Sequence, residues 1–396
     1  MQPDGELRGD GVHVGGDARQ RFYDSGGYGR PLGGNAISLT PLEAAHLLFR
    51  GDLGAVTVGG EALGFEAFFV HAAAAGDRFA VRFLVYSDLR DRGFYLSPTR
   101  EGWPGHNRLA GTNADFIVYE RGASPPDGDV AHRLRVVGER ESIPAAEIDG
   151  TTLAIVDEES DLTYFETRTA DPTGETDYGP PTDLPGVLLE DRVVVWDAPT
   201  DLYDRGFYGR PLSGRAATID GALQLSLLEA AFLAERGALR LDETLALAGA
   251  AGDAERSDGV GTDGTGGGAS GADEADDEGS DDAEGAADAI RRRGRAVEGD
   301  RFDRRLRVYA DLRERAIVPK TGFKFGADFR TYLDVETVED LPHSEHLVRV
   351  IEPDHAFVPR ELSLDVRLAG GVRKRMVFAL TDASSIDYRS VARITP

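Results

Sequence analysis

The chain contains itself twice, and no other feature restricts its fold as strongly. The stretch "YDSGGYGRPL" at 23–32 returns as "YDRGFYGRPL" at 203–212, an offset of 180. "PLEAAHLL" around Glu43 returns as "LLEAAFLA" around Glu229, offset 186. "VYSDLRDRG" from Val85 returns as "VYADLRERA" from Val308, offset 223, and "ADFIVY" ending at Tyr119 returns as "ADFRTY" ending at Tyr332, offset 213. Four matches in one order describe a tandem duplication, so both halves must fold on the same plan. The jump from 186 to 223 locates an insertion in the second copy, a Gly-rich tract without apolar periodicity. Its residues 251–288 carry thirteen Asp or Glu against one Arg. Such a tract cannot bury enough surface to order itself, which predicts a disordered acidic insert over 249–290. The Pro- and Gly-rich stretch 171–186 reads as the linker between copies. Each copy divides again before its Tyr-x-Asp-Leu-Arg motif, giving 1–75 and 76–170 in copy one, then 187–248 and 291–396 in copy two.

The last of these segments reads as mixed helix and strand. "FDRRLRVYADLRERA" places Leu306, Val308, Tyr309 and Leu312 on one helical face, and "ADFRTYLDV" and "EHLVRVIE" read as strands. "PRELSLDVRLA" reads as a helix that begins after Pro359 and is stopped by Gly370 and Gly371. "KRMVFALTD" and "IDYRSVARI" read as two further strands. The expected fold class is therefore α/β in the mixed sense. Each copy comprises a small N-terminal α+β subdomain followed by a compact, nuclease-like sheet subdomain rather than a helical bundle.

Composition matters chiefly through charge. The net charge of −26 is spread beyond the insert, and of the 44 basic residues only Lys320, Lys324 and Lys374 are lysines. General acidity with arginine as the main cation resembles a protein of a salt-loving cytoplasm, where surface charge preserves solubility. In molar salt charge effects reach only about 3 Å, so net charge says little about partners. RNA binding would then rest on short-range stacking and arginine contacts. There is no cysteine, which removes disulfides and thiolate chemistry. No signal core or membrane-length apolar run is seen, so a cytoplasmic protein without a membrane partner is expected.

The run "YADLRERAIVPKTGFKFGADFRTY", "HSEHLVRV", "RLAGGVRKRMVFAL" and "DYRSVARI" resembles the catalytic domain of the archaeal tRNA-splicing endonucleases, and the duplicated plan resembles their fused, two-copy homodimeric subclass. The resemblance implies a metal-free cut by a Tyr, a His and a Lys, which match Tyr332, His343 and Lys374. It implies Tyr332 as general base, His343 as general acid and Lys374 as charge stabiliser. The products would be a 2′,3′-cyclic phosphate and a 5′-OH, with no cofactor and no metal. Attack by a 2′-OH does need one group to remove a proton, one to supply a proton and one fixed cation. Arg367 and Arg389 match the pair that sandwiches a flipped bulge base, a stacking contact that tolerates salt. The implied partners are a precursor tRNA with a bulge-helix-bulge and a second copy of the chain, with no cleavage of DNA.

Copy one departs from this pattern. It keeps Tyr119, and "AHRLRVV" brings His132 thirteen residues later, but nothing matches "RLAGGVRK" and the copy has no lysine. It reads as a structural pseudo-subunit whose acidic turn, Asp157, Glu158, Glu159 and Asp161, matches the loop that family members present to a partner's basic pocket. Two alternatives stay open. One is a metal-dependent nuclease using carboxylates such as Asp328, Asp354 and Asp365. Within that reading His343 and His346, three apart on a strand, make a poor ligand pair. The other alternative is a noncatalytic RNA-binding subunit.

Overall fold

The duplication reappears strand by strand in the computed structural model, which describes residues 2–109, 112–123, 125, 128–213, 221–242 and 278–396. The chain forms two compact units, the first holding 1–170, 353–376 and 389–396, the second 171–352 and 377–388. In the first, a six-stranded sheet is built from β1 (Gly5–Arg8), β2 (Gly11–Val14), β3 (Arg30–Pro31), β4 (Ile37–Leu39), β5 (Val56–Val58) and β6 (Glu61–Leu63). Their order is β3-β4-β2-β1-β5-β6. Helices α1 (Pro41–Phe49), α2 (Phe65–Ala75) and α3 (Phe79–Asp91) follow. A second set of strands, β7 (Leu96–Pro98), β8 (Phe116–Tyr119), β9 (Val130–Gly138), β11 (Thr152–Val156) and β12 (Leu162–Ala170), runs in the order β12-β11-β9-β8-β7, with the short β10 (Ile143–Pro144) outside it. One apolar core joins both sets, with Leu39, Phe68, Val85 and Leu134 all buried in it.

The second unit repeats the plan. Strands β13 (Leu184–Leu188), β14 (Arg192–Val195), β15 (Arg210–Pro211), β16 (Leu223–Ser226) and β17 (Leu239–Leu241) run β15-β16-β14-β13-β17, the order of β3-β4-β2-β1-β5. Among them lie α4 (Thr200–Asp204) and α5 (Leu227–Glu235), and then come α6 (Glu278–Glu298), α7 (Arg301–Glu314), β18 (Val318–Thr321), β19 (Phe329–Tyr332) and β20 (His346–Ile351). Beyond Glu352 the chain adds β21 (Ala356–Phe357), which pairs with β10 inside the first unit, and α8 (Pro359–Gly371). Strands β22 (Arg375–Thr381) and β23 (Ile386–Ile394) complete the chain, and the order β18-β19-β20-β22-β23 repeats β7-β8-β9-β11-β12. The fold is mixed α/β and the helices and strands read from the sequence of 291–396 are present.

The repeated motifs persist because they close on one another. In α1 and α5 the N-cap hydroxyls of Thr40 and Ser226 exchange hydrogen bonds with Glu43 and Glu229, a capping box in each copy. The same carboxylates accept the Gly29 N–H at 2.7 Å and the Gly209 N–H at 3.0 Å. Both glycines adopt positive φ, and a side chain on either would run into the carbonyl of the neighbouring strand. Arg90 donates to the Gly26 carbonyl at 2.7 Å and Arg313 to that of Gly206 at 2.9 Å, each guanidinium lying over a tyrosine, Tyr28 or Tyr208. Tyr164 donates to Asp88, and Tyr388 to Asp311, both at 2.6 Å. Three of the four matching motifs thus form a buried polar knot in each copy. Losing one member strands the others without partners, at about 1–3 kcal/mol per orphaned group.

Of the insert expected over 249–290, only 278–290 falls among the described residues, and that part is helical rather than disordered. Residues 243–277 lie outside the described residues, but from Glu278 the chain is helical, and Ala286, Ala287 and Ile290 are buried. Ala286 and Ala287, four and three residues before Ile290, give this acidic stretch one apolar face, and the helix packs against α5. The stretch 171–183 has no regular structure, yet the Gly174, Glu175 and Thr176 amides donate to the carbonyls of Arg315, Leu333 and Ala316.

Candidate active site

Tyr332 closes β19, where it pairs with Val318 of β18. Only 4% of the residue is exposed. Its ring packs with Phe207, Val318 and Val335, and the Arg330 guanidinium lies 5.6 Å from its centroid. The tyrosine also lines a cavity of about 500 Å³ together with Glu229, Arg305, Lys320 and Arg330. His343 is exposed and precedes β20, which starts only at His346. The alternation of a strand therefore does not govern the pair His343 and His346, contrary to the expectation that both belong to one strand. The His343 segment is fastened to β19 through Glu345. The Glu345 amide donates to the Thr331 carbonyl at 3.0 Å, and the Leu333 amide donates to the Glu345 carboxylate at 3.2 Å. These two bonds flank Tyr332, so within the second unit the tyrosine and the histidine hang on one tethered segment.

Lys374, Arg367 and Arg389 belong to the first unit. Helix α8 buries Leu362, Val366 and Ala369 and leaves Arg367 exposed on the opposite side. The double glycine does not stop it. Both glycines lie in the helix, Val372 is the C-cap, and the left-handed residue is Arg373 at φ 58°. The Lys374 amide donates to the Ala369 carbonyl at 2.9 Å and the Arg373 amide to that of Gly370 at 3.0 Å, the bond pair of a Schellman cap. The cap fixes the backbone of Lys374, which is half-buried just before β22. Arg389 lies on β23, its side chain 14% exposed and its Nε 4.0 Å from Asp149.

Copy one shows what the pattern lacks. Between β9 and β11 it has β10 and a single 3-10 turn, Ala145–Glu147, in the place where copy two has β21 and α8. No lysine-bearing helix end can form there. Tyr119 is fully buried and donates to the Pro104 carbonyl at 3.4 Å, and burial raises its phenol above the ordinary value. His132 stands opposite Val118 as His346 stands opposite Thr331, so it is the counterpart of His346 and not of His343. Asp129 occupies the position three residues earlier. The acidic turn joins β11 to β12. The Asp157 carboxylate accepts the amides of Glu159 at 2.9 Å and Asp161 at 2.8 Å, which leaves Glu158, Glu159 and Asp161 exposed.

Asp328 has a structural task. It is buried, pairs with Arg301 and Arg305, and accepts the Val350 amide at 2.8 Å. Asp115 does the same in copy one with Arg78, Arg82 and the Val136 amide. Among the described residues no three His, Cys, Asp or Glu side chains are grouped to hold a metal ion. Glu229 and Phe207, which lie with Lys320 beside Tyr332 in the second unit, drew no functional assignment from the sequence. Their partners are about a hundred residues away along the chain, and only the lysine's rarity marked any of them.

The family model described as "tRNA intron endonuclease, catalytic C-terminal domain" matches residues 302–388, and that described as "tRNA intron endonuclease, N-terminal domain" matches 4–69 and again 184–249. A tRNA-splicing endonuclease of Haloferax volcanii is 52% identical over 393 residues, covering 99% of both chains. One of Halobacterium salinarum is 52% identical over 398 residues, covering 99% of this chain and all of its own. One of Methanosarcina mazei is 35% identical over 407 residues and 98% of each chain. With a repeated N-terminal domain, a catalytic domain in its second copy and relatives of this identity along its whole length, the chain belongs to the tRNA-splicing endonucleases.

Proposed function

We propose that this tRNA-splicing endonuclease excises introns at bulge-helix-bulge sites by metal-independent acid–base transfer, acting in the cytoplasm as a homodimer. The observation that carries the reading is the asymmetry between the copies. Copy two has a cavity-lining Tyr332, a tethered exposed His343 and a Lys374 fixed by the cap of α8. Copy one has a sealed Tyr119, Asp129 in the place of His343 and no helix in the place of α8. In the proposed reaction Tyr332 takes the proton of the 2′-OH as O2′ bonds to phosphorus. The bond from phosphorus to O5′ breaks, His343 gives O5′ its proton, and the Lys374 ammonium offsets charge on the non-bridging oxygens. The reaction leaves a 2′,3′-cyclic phosphate and a 5′-OH and needs no cofactor. Arg367 and Arg389 hold a splayed bulge base by stacking on its faces, as suits sequence-tolerant recognition of RNA.

The test is incubation of purified protein with an intron-containing transcript in molar salt and excess EDTA, followed by end-group analysis. Cyclic phosphate and 5′-OH ends are expected, with no cutting of a transcript carrying 2′-deoxy residues at the splice sites. A 3′-OH product, or loss of cleavage in chelator, would remove the mechanism. In the same assay Lys374→Arg should fold and bind RNA yet cut poorly, because a broad planar fork replaces a compact point charge.

A further inference from the structure

Two residues beside Tyr332, Lys320 and Phe207, differ from their copy-one counterparts, while the glutamate that anchors them is kept. Lys320 donates from Nζ to the Phe207 carbonyl at 2.7 Å and lies 3.0 Å from the Glu229 carboxylate. Glu229 is itself fixed by the capping box of α5. Lys320 stands opposite Arg330, as Val318 stands opposite Tyr332. Alternation along a strand therefore sets the lysine stem and the tyrosine ring on one face of the hairpin. Phe207 sits at φ 58° and puts its ring in the buried cluster around Tyr332. A left-handed backbone is unfavourable for any side chain with a Cβ, and such strain persists where the surroundings enforce it.

In copy one the matching positions are relaxed. Gly27, at φ 63°, holds the left-handed place of Phe207, and Ser97 holds the place of Lys320, opposite Ile117. The retained Glu43 takes its further donor from Trp103 Nε1 at 3.1 Å. Burial pushes the Glu43 carboxyl up, whereas in Glu229 the same burial is outweighed by Lys320 and the backbone donors, which hold it at about 2. The copy with a sealed tyrosine has neither the lysine nor the strained aromatic residue.

We propose that Lys320, anchored by Glu229, and Phe207 form a clamp that positions Tyr332 for proton transfer, the lysine holding the Phe207 backbone so that its ring buttresses the tyrosine. This rests on the reading of Tyr332 as the general base. The clamp touches no reacting atom, so these are positioning residues. The test is a double-mutant cycle of Lys320→Ser, the copy-one residue, with Tyr332→Phe, read by single-turnover cleavage under saturating enzyme and by RNA binding in molar salt. A misplacement of one ångström costs up to about a hundredfold. Lys320→Ser should therefore slow cleavage roughly ten- to a hundredfold with RNA affinity unchanged, and add no further loss once Tyr332 is Phe. Lys320→Arg should recover much of the rate. An equal loss in both backgrounds, a loss confined to RNA binding, or a wild-type rate in Lys320→Ser would each overturn the clamp. If Tyr332→Phe alone cleaves at the wild-type rate, the tyrosine's role falls and the clamp with it. Should Lys320→Ser fail to fold, Phe207→Gly, which relieves the strain as Gly27 does, takes its place in the cycle with the same expectations.

Discussion

Single residues show how far two copies of one plan can drift while keeping it. His46 in copy one and Phe232 in copy two occupy the same place on their helices, beside Tyr28 and Tyr208. Phe232 fills its site with carbon alone. His46 is fully buried, its Nδ1 3.1 Å from the Tyr28 hydroxyl and its ring edge-on to Tyr86 at 5.2 Å. Burial, reinforced by Arg90 and Arg50, holds its pKa down at about 3, against about 6.5 in an unfolded chain. The unfolded state therefore takes up the proton first. Stability from this site is complete above pH 6.5 and is lost as pH falls towards 3, by an amount on the order of 5 kcal/mol in the limit. Chemical unfolding at fixed salt between pH 7 and pH 4 should show wild type losing stability more steeply than His46→Phe, by up to one proton in the slope. Equal slopes would mean that His46 is protonated in the folded chain.

At the scale of elements, much was legible because periodicity and pairing are local. The helices at 301–314 and 359–371 and the strand Ile386–Ile394 follow from apolar spacing and turn residues. What escaped the sequence was backbone conformation and register. "AGGVRKR" announces a helix end, but which residue turns left-handed depends on which carbonyls the following amides reach, and here it is Arg373. Likewise His132 looks like the partner of Tyr119 until the pairing with Val118 assigns it to the position of His346. Ala286 and Ile290 in the acidic tract gain an apolar face only once α5 is there to receive it. The α8 cap makes a sharp prediction. Gly370 and Gly371 are helical with open space where a Cβ would point. Gly371→Ala should thus stabilise by up to about 1 kcal/mol, and Arg373→Gly should relieve about 1–2 kcal/mol of left-handed strain. Thermal unfolding at constant salt checks both, and a lower midpoint for Gly371→Ala would return the helix stop to the glycines.

For the whole molecule the question is why a copy without the catalytic pattern is retained. Copy one keeps the polar knot, the sheet order and the buried Asp115 network, all of which serve folding, and it presents an acidic turn that serves none of them. Asp157 is occupied in shaping that turn and Glu158 pairs with Arg140 at 2.5 Å, while Glu159 and Asp161 stay exposed beside them, so the turn offers a partner its acidic edge. On the proposed reading, an intron has two ends and each chain one Tyr, His and Lys set, which is the reason for proposing that two chains act together. In molar salt an acidic turn gains nothing from long-range attraction, since screening acts within about 3 Å. Any bond it makes to a second chain must therefore be a direct, hydrogen-bonded contact with cations, of the kind that survives screening. Light scattering in molar salt should give twice the 42.6 kDa of one chain. The triple substitution Glu158→Lys, Glu159→Lys and Asp161→Lys should yield a folded monomer that excises no intron. It should leave the thermal midpoint of the chain nearly unchanged, because exposed charges contribute little to folding. A triple variant that remains dimeric and active would take the turn out of the interface and leave its acidity to solubility alone.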